Sequence, residues 1–92
     1  MEWKASHILV KDGSLARSLR QKIQQGARFE DLASRFSTCP SRTKGGDLGW
    51  FGEGQMAKEF EHACRKLGVG SLSDPVRTQF GYHVIKVTGK KR

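Results

Sequence analysis

Two histidines and a cysteine are the side chains of this chain whose chemistry could serve a reaction. His7 lies in the segment SHILVK and His83 in the segment YHVIKV, both of which read as β-strands, and Cys39 precedes a proline in a turn-rich segment. An imidazole can act as a general base, and a thiol beside such a base can attack an acyl group. Two imidazoles can instead hydrogen-bond to each other if their strands pair, since paired strands lie about 4.8 Å apart. The residue types leave both arrangements open.

A metal centre is the other chemistry that histidine and cysteine can support. A zinc site needs three or four ligands, whereas Cys39 and Cys64 lack the close spacing of such ligands. His62 lies on a predicted helix that nothing in the sequence places near the strand histidines. Phosphate-binding loops and metalloprotease motifs are absent as well. We therefore predict no metal site. Two cysteines do not make a disulfide framework, and a reducing compartment favours free thiols.

Apolar side chains that could line a binding cleft occur in the second half of the chain. Met56 and Phe60 are four residues apart, so on a helix they share one face. Leu48 and Phe80 stand in segments rich in glycine and other turn residues. These four side chains could line a cleft or belong to the core, and their spacing is compatible with both.

The elements that must position these side chains follow from the periodicity of the sequence. After the first strand, Ser14 is a plausible helix N-cap, and Gly26 is a natural stop for the helix that follows. The pattern predicts, in chain order, a strand over 3–11, a helix over about 15–25, a short helix containing Phe29, Leu32, Ala33 and Phe36, a short strand over 47–51, a helix over about 56–67 and a strand over about 82–88. This order favours an α+β fold with a small, mostly antiparallel sheet.

Strand alternation decides which side chains share a face of that sheet. Ile8, Val10 and Val84 are expected to pack under the helices. The opposite face then carries both His7 and His83, and we predict that this face is exposed. Two histidines on one face of a sheet indicate a polar site more strongly than either does alone.

Length, charge and composition exclude several classes of protein. The 92 residues suffice for one domain, which we place over 1–92. No apolar run approaches the roughly 18 residues of a membrane span, and the N-terminus lacks the pattern of a secretory signal, so we expect a cytosolic monomer. The net charge of +8 predicts weak attraction to nucleic acids and other polyanions. The basic residues are scattered, however, and no nucleic-acid-binding motif accompanies them.

Six longer segments stand in the chain in this order: ASHILVK, FEDLASRFSTCPS, GGDLGWFGEGQM, FEHA, VGSLSDPV and TQFGYHVIKV. Together they resemble the parvulin (PpiC or rotamase) family of peptidyl-prolyl cis/trans isomerases over nearly the whole chain. The resemblance implies the parvulin, FKBP-like fold, in which helices surround a four-stranded antiparallel sheet. It also implies an enzyme that rotates X–Pro peptide bonds in polypeptides, assists protein folding and uses no cofactor.

The resemblance further assigns the polar residues of an active site. His7 and His83 match a hydrogen-bonded pair beneath the reacting bond, and Thr78 matches a hydroxyl that supports this pair. Cys39 matches a position beside the substrate peptide bond. The rotation breaks no covalent bond, so we predict a non-covalent mechanism rather than attack by the Cys39 thiol.

The proline-binding pocket is assigned in the same way. Leu48, Met56 and Phe60 match the residues that receive the proline ring, and Phe80 matches a residue at the edge of the same cleft. Parvulins that demand a phosphorylated residue before proline resemble one another in a basic loop between the first strand and the first helix. That connection is only DGS in this chain, which predicts no strict phosphate requirement. The alternative function is a module that binds proline peptides or nucleic acid with little catalysis.

Overall fold

The strands of this protein are β1 Glu2–Val10, β2 Asp47–Gly52, β3 Val76–Thr78 and β4 Gly81–Lys91. The structure, a computed structural model, describes all residues from Met1 to Arg92. The strands form one antiparallel sheet in the order β2-β1-β4-β3. This sheet confirms the predicted α+β class and the four antiparallel strands that the resemblance implied. The three-residue β3 is too short to show alternation, which is why the residue pattern alone predicted three strands.

Three α-helices and one 3-10 helix connect and cover these strands. They are α1 Gly13–Gln24, α2 Phe29–Phe36, the 3-10 helix Pro40–Lys44 and α3 Lys58–Lys66. None of them has the length and apolar character that crossing a bilayer requires. The predicted α1 N-cap at Ser14 is wrong. Asp12 caps the helix instead, because its Oδ1 accepts a hydrogen bond from the backbone N–H of Ser14 at 2.9 Å.

Two other predicted boundaries need correction. Helix α3 begins at Lys58 rather than at residue 56, so Met56 lies in the loop before the helix. Ala57 is the N-cap of the helix, and its ψ of 144° is extended rather than helical. Strand β4 continues to Lys91 because β1 pairs with it over its full length, from Val10 to Glu2.

The sheet separates two hydrophobic clusters. As predicted, Ile8, Val10 and Val84 pack against the buried side chains of α1 and α2. The opposite face carries a second cluster, which contains Trp3, Ala5, Phe51, Phe60, Cys64, Ile85 and Val87. The prediction that this second face is exposed is therefore wrong. Helix α3 covers it, because apolar residues flank the histidines along β1 and β4 and bury their surface under the helix.

Candidate active site

A pair of histidines lies at the centre of the face that α3 covers. Strand register places Leu9 opposite His83 and His7 opposite Ile85, so the two histidines are diagonal neighbours on the same face. Their Nδ1 atoms are 2.9 Å apart, and the nearly parallel ring planes have centroids 5.0 Å apart. Each histidine is only 4% exposed. The predicted pairing of the imidazoles is therefore present, in a buried setting.

A chain of hydrogen bonds extends from this pair to the turn between β3 and β4. The backbone N–H of Phe80 donates to Thr78 Oγ1 at 3.2 Å, and Thr78 Oγ1 lies 2.6 Å from His83 Nε2. If the Thr78 hydroxyl donates to Nε2, then the Nδ1–H of His83 donates to His7. In the opposite order, the Nε2–H of His83 would donate to Thr78 Oγ1, and the hydroxyl hydrogen of Thr78 would have no acceptor. The first order therefore leaves fewer buried polar groups unsatisfied.

One polar atom of the pair has no partner. His7 Nε2 is buried and makes no hydrogen bond within the protein. A buried group in this state costs about 1–3 kcal/mol. Such exceptions are uncommon in folded proteins and are often found where function requires them.

Both imidazoles are neutral at physiological pH. Burial, and then the charge that His83 would carry, lower the pKa of His7 from 6.5 to about 4. Burial also lowers the pKa of His83 to about 4, against the opposing effect of the Glu59 carboxylate. Two protonated rings would direct two N–H groups at each other across 2.9 Å. The pair is therefore a hydrogen-bonding platform rather than a source of positive charge.

Phe60 covers this platform from above. Its ring meets His7 edge-to-face at a centroid distance of 5.6 Å and meets His83 in the same way at 5.3 Å. The ring is 2% exposed and also packs against Phe51 at 5.8 Å. Helix α3 thus supplies one side chain that both closes the core and orients the two imidazoles.

A cleft of about 320 Å³ opens beside Phe60 and the histidines. Its walls are mostly apolar, and it is lined by His7, Leu9, Thr38, Cys39, Pro40, Leu48, Met56, Ala57, Phe60, Phe80 and His83. Seven of the eight site residues predicted from the sequence are in this lining. The eighth, Thr78, lies behind the cleft and contacts His83. The structure thus brings all eight together, although Met56 arrives from a loop and Phe80 is 61% exposed at the rim.

The loop that carries Cys39 is hydrogen-bonded to a single residue of β1, Leu9. The Ser37 hydroxyl accepts hydrogen bonds from the backbone N–H groups of Leu9 at 3.0 Å and of Cys39 at 3.3 Å. The backbone N–H of Thr38 donates to the carbonyl oxygen of Leu9 at 2.8 Å. Cys39 is a free, half-buried thiol and makes no hydrogen bond to either imidazole. The thiol is therefore not paired with a base in this structure, as an activated nucleophile would be.

A glycine allows another loop to approach the histidine pair closely. The backbone N–H of His7 donates to the carbonyl oxygen of Gly46 at 2.9 Å. Gly46 has a φ of 87°, and a Cβ at this position would lie 2.5 Å from the backbone oxygen of His7. Only glycine fits here. This contact fixes the start of β2, and with it Leu48, beside the cleft.

Four lining residues were absent from the sequence prediction: Leu9, Thr38, Pro40 and Ala57. Alternation already placed Leu9 on the face of His7, and Thr38 and Pro40 flank Cys39. These signals could have identified three of the four. Ala57 carried no signal, because a small residue before a helix is compatible with any role.

The rest of the surface lacks a comparable site. A more open depression of about 630 Å³ between α3 and β3 is lined by Lys58, Glu59, His62, Ala63, Lys66, Pro75 and Val76, and none of its polar side chains is buried. No three histidine, cysteine or acidic side chains converge on one point in metal-ligand geometry. Buried Cys64 is inert, because burial raises its thiol pKa to about 11.

Comparison with family models matches residues 7–89 to the rotamase family, described as the PPIC-type PPIase domain. The foldase protein PrsA of Geobacillus kaustophilus (strain HTA426) is 54% identical over 90 residues, which are 97% of this chain and 32% of that protein. The foldase protein PrsA of Bacillus subtilis (strain 168) is 53% identical over 89 residues, 96% of this chain and 30% of that protein. The chain thus spans about a third of these curated relatives.

Solved structures give the same picture. The crystal structure of the peptidylprolyl isomerase PrsA from Bacillus anthracis matches with a TM-score of 0.97 and 52% identity, over 99% of this chain and 42% of that one. The solution structure of NmPin, the parvulin of Nitrosopumilus maritimus, matches with a TM-score of 0.85 and 44% identity. That match covers 96% of both chains.

Proposed function

This chain belongs to the PPIC-type peptidyl-prolyl isomerase family, the parvulins, and we propose that its cleft catalyses rotation about X–Pro bonds without a covalent step. The observation that carries the proposal is an apolar cleft whose floor is a neutral, hydrogen-bonded histidine pair. An apolar wall suits a pyrrolidine ring, and a polar floor suits the amide attached to it. No group has to be transferred, so the reaction needs only a suitable environment.

The apolar part of the cleft binds the ring. Met56, Phe60 and Leu48 supply its surface. Removing a methylene group from water contributes about 0.8 kcal/mol, so burial of the three ring methylenes holds the proline while the carbonyl side of the bond turns. The ring is bound alike in the cis, trans and twisted forms. This part of the site therefore sets affinity rather than rate.

The polar part of the cleft favours the twisted amide. Rotation of a peptide bond has a barrier of about 18–20 kcal/mol because planarity carries resonance. In the twisted state the resonance is lost, and the charges on the oxygen and nitrogen atoms change. A fixed polar floor that suits this charge distribution lowers the barrier, since only interactions stronger in the transition state accelerate the reaction. His7 and His83 are held in place for this role by Thr78 and Phe60.

The test is the relaxation of a cis X–Pro peptide in a protease-coupled or NMR-exchange assay. We expect the purified chain to accelerate relaxation well above the spontaneous rate. A module that only binds proline peptides or nucleic acid would leave that rate unchanged. Such an outcome would favour the alternative, for which salt-dependent binding of random DNA is the matching measurement.

Replacement of Cys39 by serine is expected to retain substantial activity, at least about a third of the wild-type kcat/KM. The serine keeps a small polar group beside the substrate bond but is a far weaker nucleophile at neutral pH. The measurement compares the kcat/KM of wild type and of Cys39→Ser on one proline peptide. Loss of activity by a factor of 1,000 or more, which is about 4 kcal/mol in barrier height, would instead indicate covalent catalysis.

A phosphate before proline is expected to change kcat/KM by less than about threefold. The connection between β1 and α1 consists of Lys11 and Asp12 alone, and Asp12 is itself anionic. Arg20 is already engaged by the backbone oxygen of Ser73 and by the Asp74 carboxylate. Two peptides that differ only in the phosphate on the serine before proline provide the measurement. A preference of tenfold or more for the phosphopeptide would contradict this prediction.

The clients of this chain are proline-containing polypeptides whose folding it assists, in line with the relatives named foldase proteins. Weak binding of polyanions through the basic surface stays a prediction. So do the single domain, the monomeric state and the cytosolic location expected from the sequence. Sedimentation at several concentrations and cell fractionation test the last two.

A further inference from the structure

The loop over residues 53–57, which we call the pocket loop, joins β2 to α3 and carries Met56. The inner side of Met56 lines the proline cleft. Met56 also borders a second cavity of about 440 Å³, whose lining includes Gly54, Glu61 and Arg65. Met56 and Ala57 pack against the second hydrophobic cluster, but both are only partly buried. Apolar contact on this wall of the cleft is therefore incomplete, and polar contacts add to it.

Hydrogen bonds from charged groups fasten the pocket loop to α3. The backbone N–H of Gly54 donates to Glu61 Oε1 at 2.8 Å. Arg65 Nη2 donates to Glu61 Oε2 at 3.1 Å and to Glu53 Oε1 at 2.6 Å. Arg65 thus links the carboxylate of Glu53, at the start of the loop, to the carboxylate of Glu61 on α3, which in turn binds the next loop residue, Gly54. Two further hydrogen bonds close the turn itself: the N–H of Gly52 donates to Gln55 Oε1 at 2.6 Å, and the N–H of Gln55 donates to the carbonyl oxygen of Gly52 at 3.4 Å.

Arg65 is in turn held against the core. Its guanidinium group lies over the ring of Trp3, 5.0 Å from the centroid, and Trp3 is fully buried. Cation–π contact of this kind orients a guanidinium group that would otherwise be free in solvent. The hydrogen bond from Gly54, and then the one from Arg65, lower the pKa of Glu61, so its carboxylate is charged at neutral pH. The ties therefore form one connected path from the sheet to Met56.

We propose that Arg65 and Glu61 are positioning residues that hold Met56 against the proline cleft and so set the affinity of the cleft for substrate. The inference rests on the proposed function, because the cleft it concerns is the proline-binding one. Neither side chain lines that cleft. Their effect is exerted through the pocket loop, and a loosened loop has to be ordered again each time substrate binds. This cost falls equally on the bound ground state and the transition state, so it raises KM and leaves kcat unchanged.

Arg65→Leu is the decisive variant, because it removes both ion pairs and keeps an apolar side chain over Trp3. We expect KM for a proline peptide to rise roughly three- to tenfold, with kcat within a factor of 1.5 of wild type. In a Met56→Ala background the same substitution should change KM less than 1.5-fold, because the side chain it positions is gone. Lys66→Leu is the matched control, since Lys66 is an exposed neighbour on α3 without an ion pair. Glu61→Gln, which keeps an oxygen acceptor for Gly54, should give a smaller rise.

A second measurement needs no substrate. The chain contains two methionines, so methyl-labelled methionine gives two NMR signals, and Met56→Ala identifies one of them. We expect Arg65→Leu and Glu61→Gln to shift or broaden the Met56 signal, and Lys66→Leu to leave it unchanged. An unchanged signal in folded Arg65→Leu would overturn the inference, as would an undiminished KM effect in the Met56→Ala background or a fall in kcat at constant KM. If wild type shows no isomerase activity, the proposed function fails, and the Met56 signal alone decides the positioning role.

Discussion

Replacing Phe60 with alanine is expected to reduce kcat/KM about 100-fold and to lower the free energy of unfolding by about 3–5 kcal/mol. The ring is buried, packs against Phe51 and meets both imidazoles edge-to-face. Its loss opens a cavity under α3 and removes the contact that orients His7 and His83. Stability and catalysis therefore depend on the same side chain. Urea unfolding and the isomerase assay, both at 10 °C, where the weakened fold is best preserved, measure the two effects.

Phe80→Ala is the matched control, because it deletes the same ring from the rim of the same cleft. Phe80 is 61% exposed, so its removal should change the free energy of unfolding by no more than about 0.5 kcal/mol. Its effect should fall on substrate binding alone. Phe60→Leu keeps much of the apolar volume and should recover most of the stability but not the activity. A folded Phe60→Ala protein with more than half of the wild-type kcat/KM would contradict the assigned role.

Lowering the pH from 7.5 to 5 is expected to reduce the free energy of unfolding by on the order of 2–4 kcal/mol. In the unfolded chain each ring of the pair takes up a proton near its ordinary pKa of 6.5, whereas in the folded protein His7 and His83 do so only near 4. Between these values the unfolded state binds more protons, so falling pH favours unfolding. The stabilisation is complete above pH 6.5 and is lost as the pH falls towards 4. Urea titrations at pH 7.5, 6.5, 5.5 and 5 measure the slope.

The double substitution His7→Leu with His83→Leu assigns this pH dependence to the pair. Leucine suits the apolar surroundings under α3 and does not titrate, so the slope should disappear. His62→Gln, at an exposed position on α3, should leave the slope intact. The double variant should also lose most of its isomerase activity, because the polar floor is gone. A folded double variant with full activity or with the wild-type pH slope would show that the pair does not have this role.

Much of the fold could be predicted from the sequence, because its signals are local. Alternation along β1 placed His7 on one face of the sheet and Ile8 and Val10 on the other, and the structure confirms this. Helical spacing located α1, α2 and α3 within a few residues. Errors of extent fell at the ends of elements, where a cap or the pairing with a neighbouring strand decides. The Asp12 carboxylate, for example, reaches the N–H of Ser14 and starts α1 earlier than predicted.

The candidate site was predictable as a set of residues but not as an environment. The family resemblance named eight side chains that the structure brings together, whereas the burial of the histidines was missed. That burial requires α3 to return over the sheet and to place Phe60 on two rings. It is also what lowers the pKa of each ring. The protonation state of the floor, and hence its chemistry, could not be deduced from strand alternation.

The sequence by itself thus determined which side chains share a face of each element and which family the chain resembles, since both depend on residue order along the chain. Only the tertiary structure decided that His7 and His83, 76 residues apart, meet at 2.9 Å. It alone placed Cys39 beside Leu9 through Ser37, and Arg65 between Glu53 and Glu61. The physical reason is that strand register, helix docking and loop ties are set by contacts between distant segments. Their energies appear only when the chain is folded, and no local pattern records them.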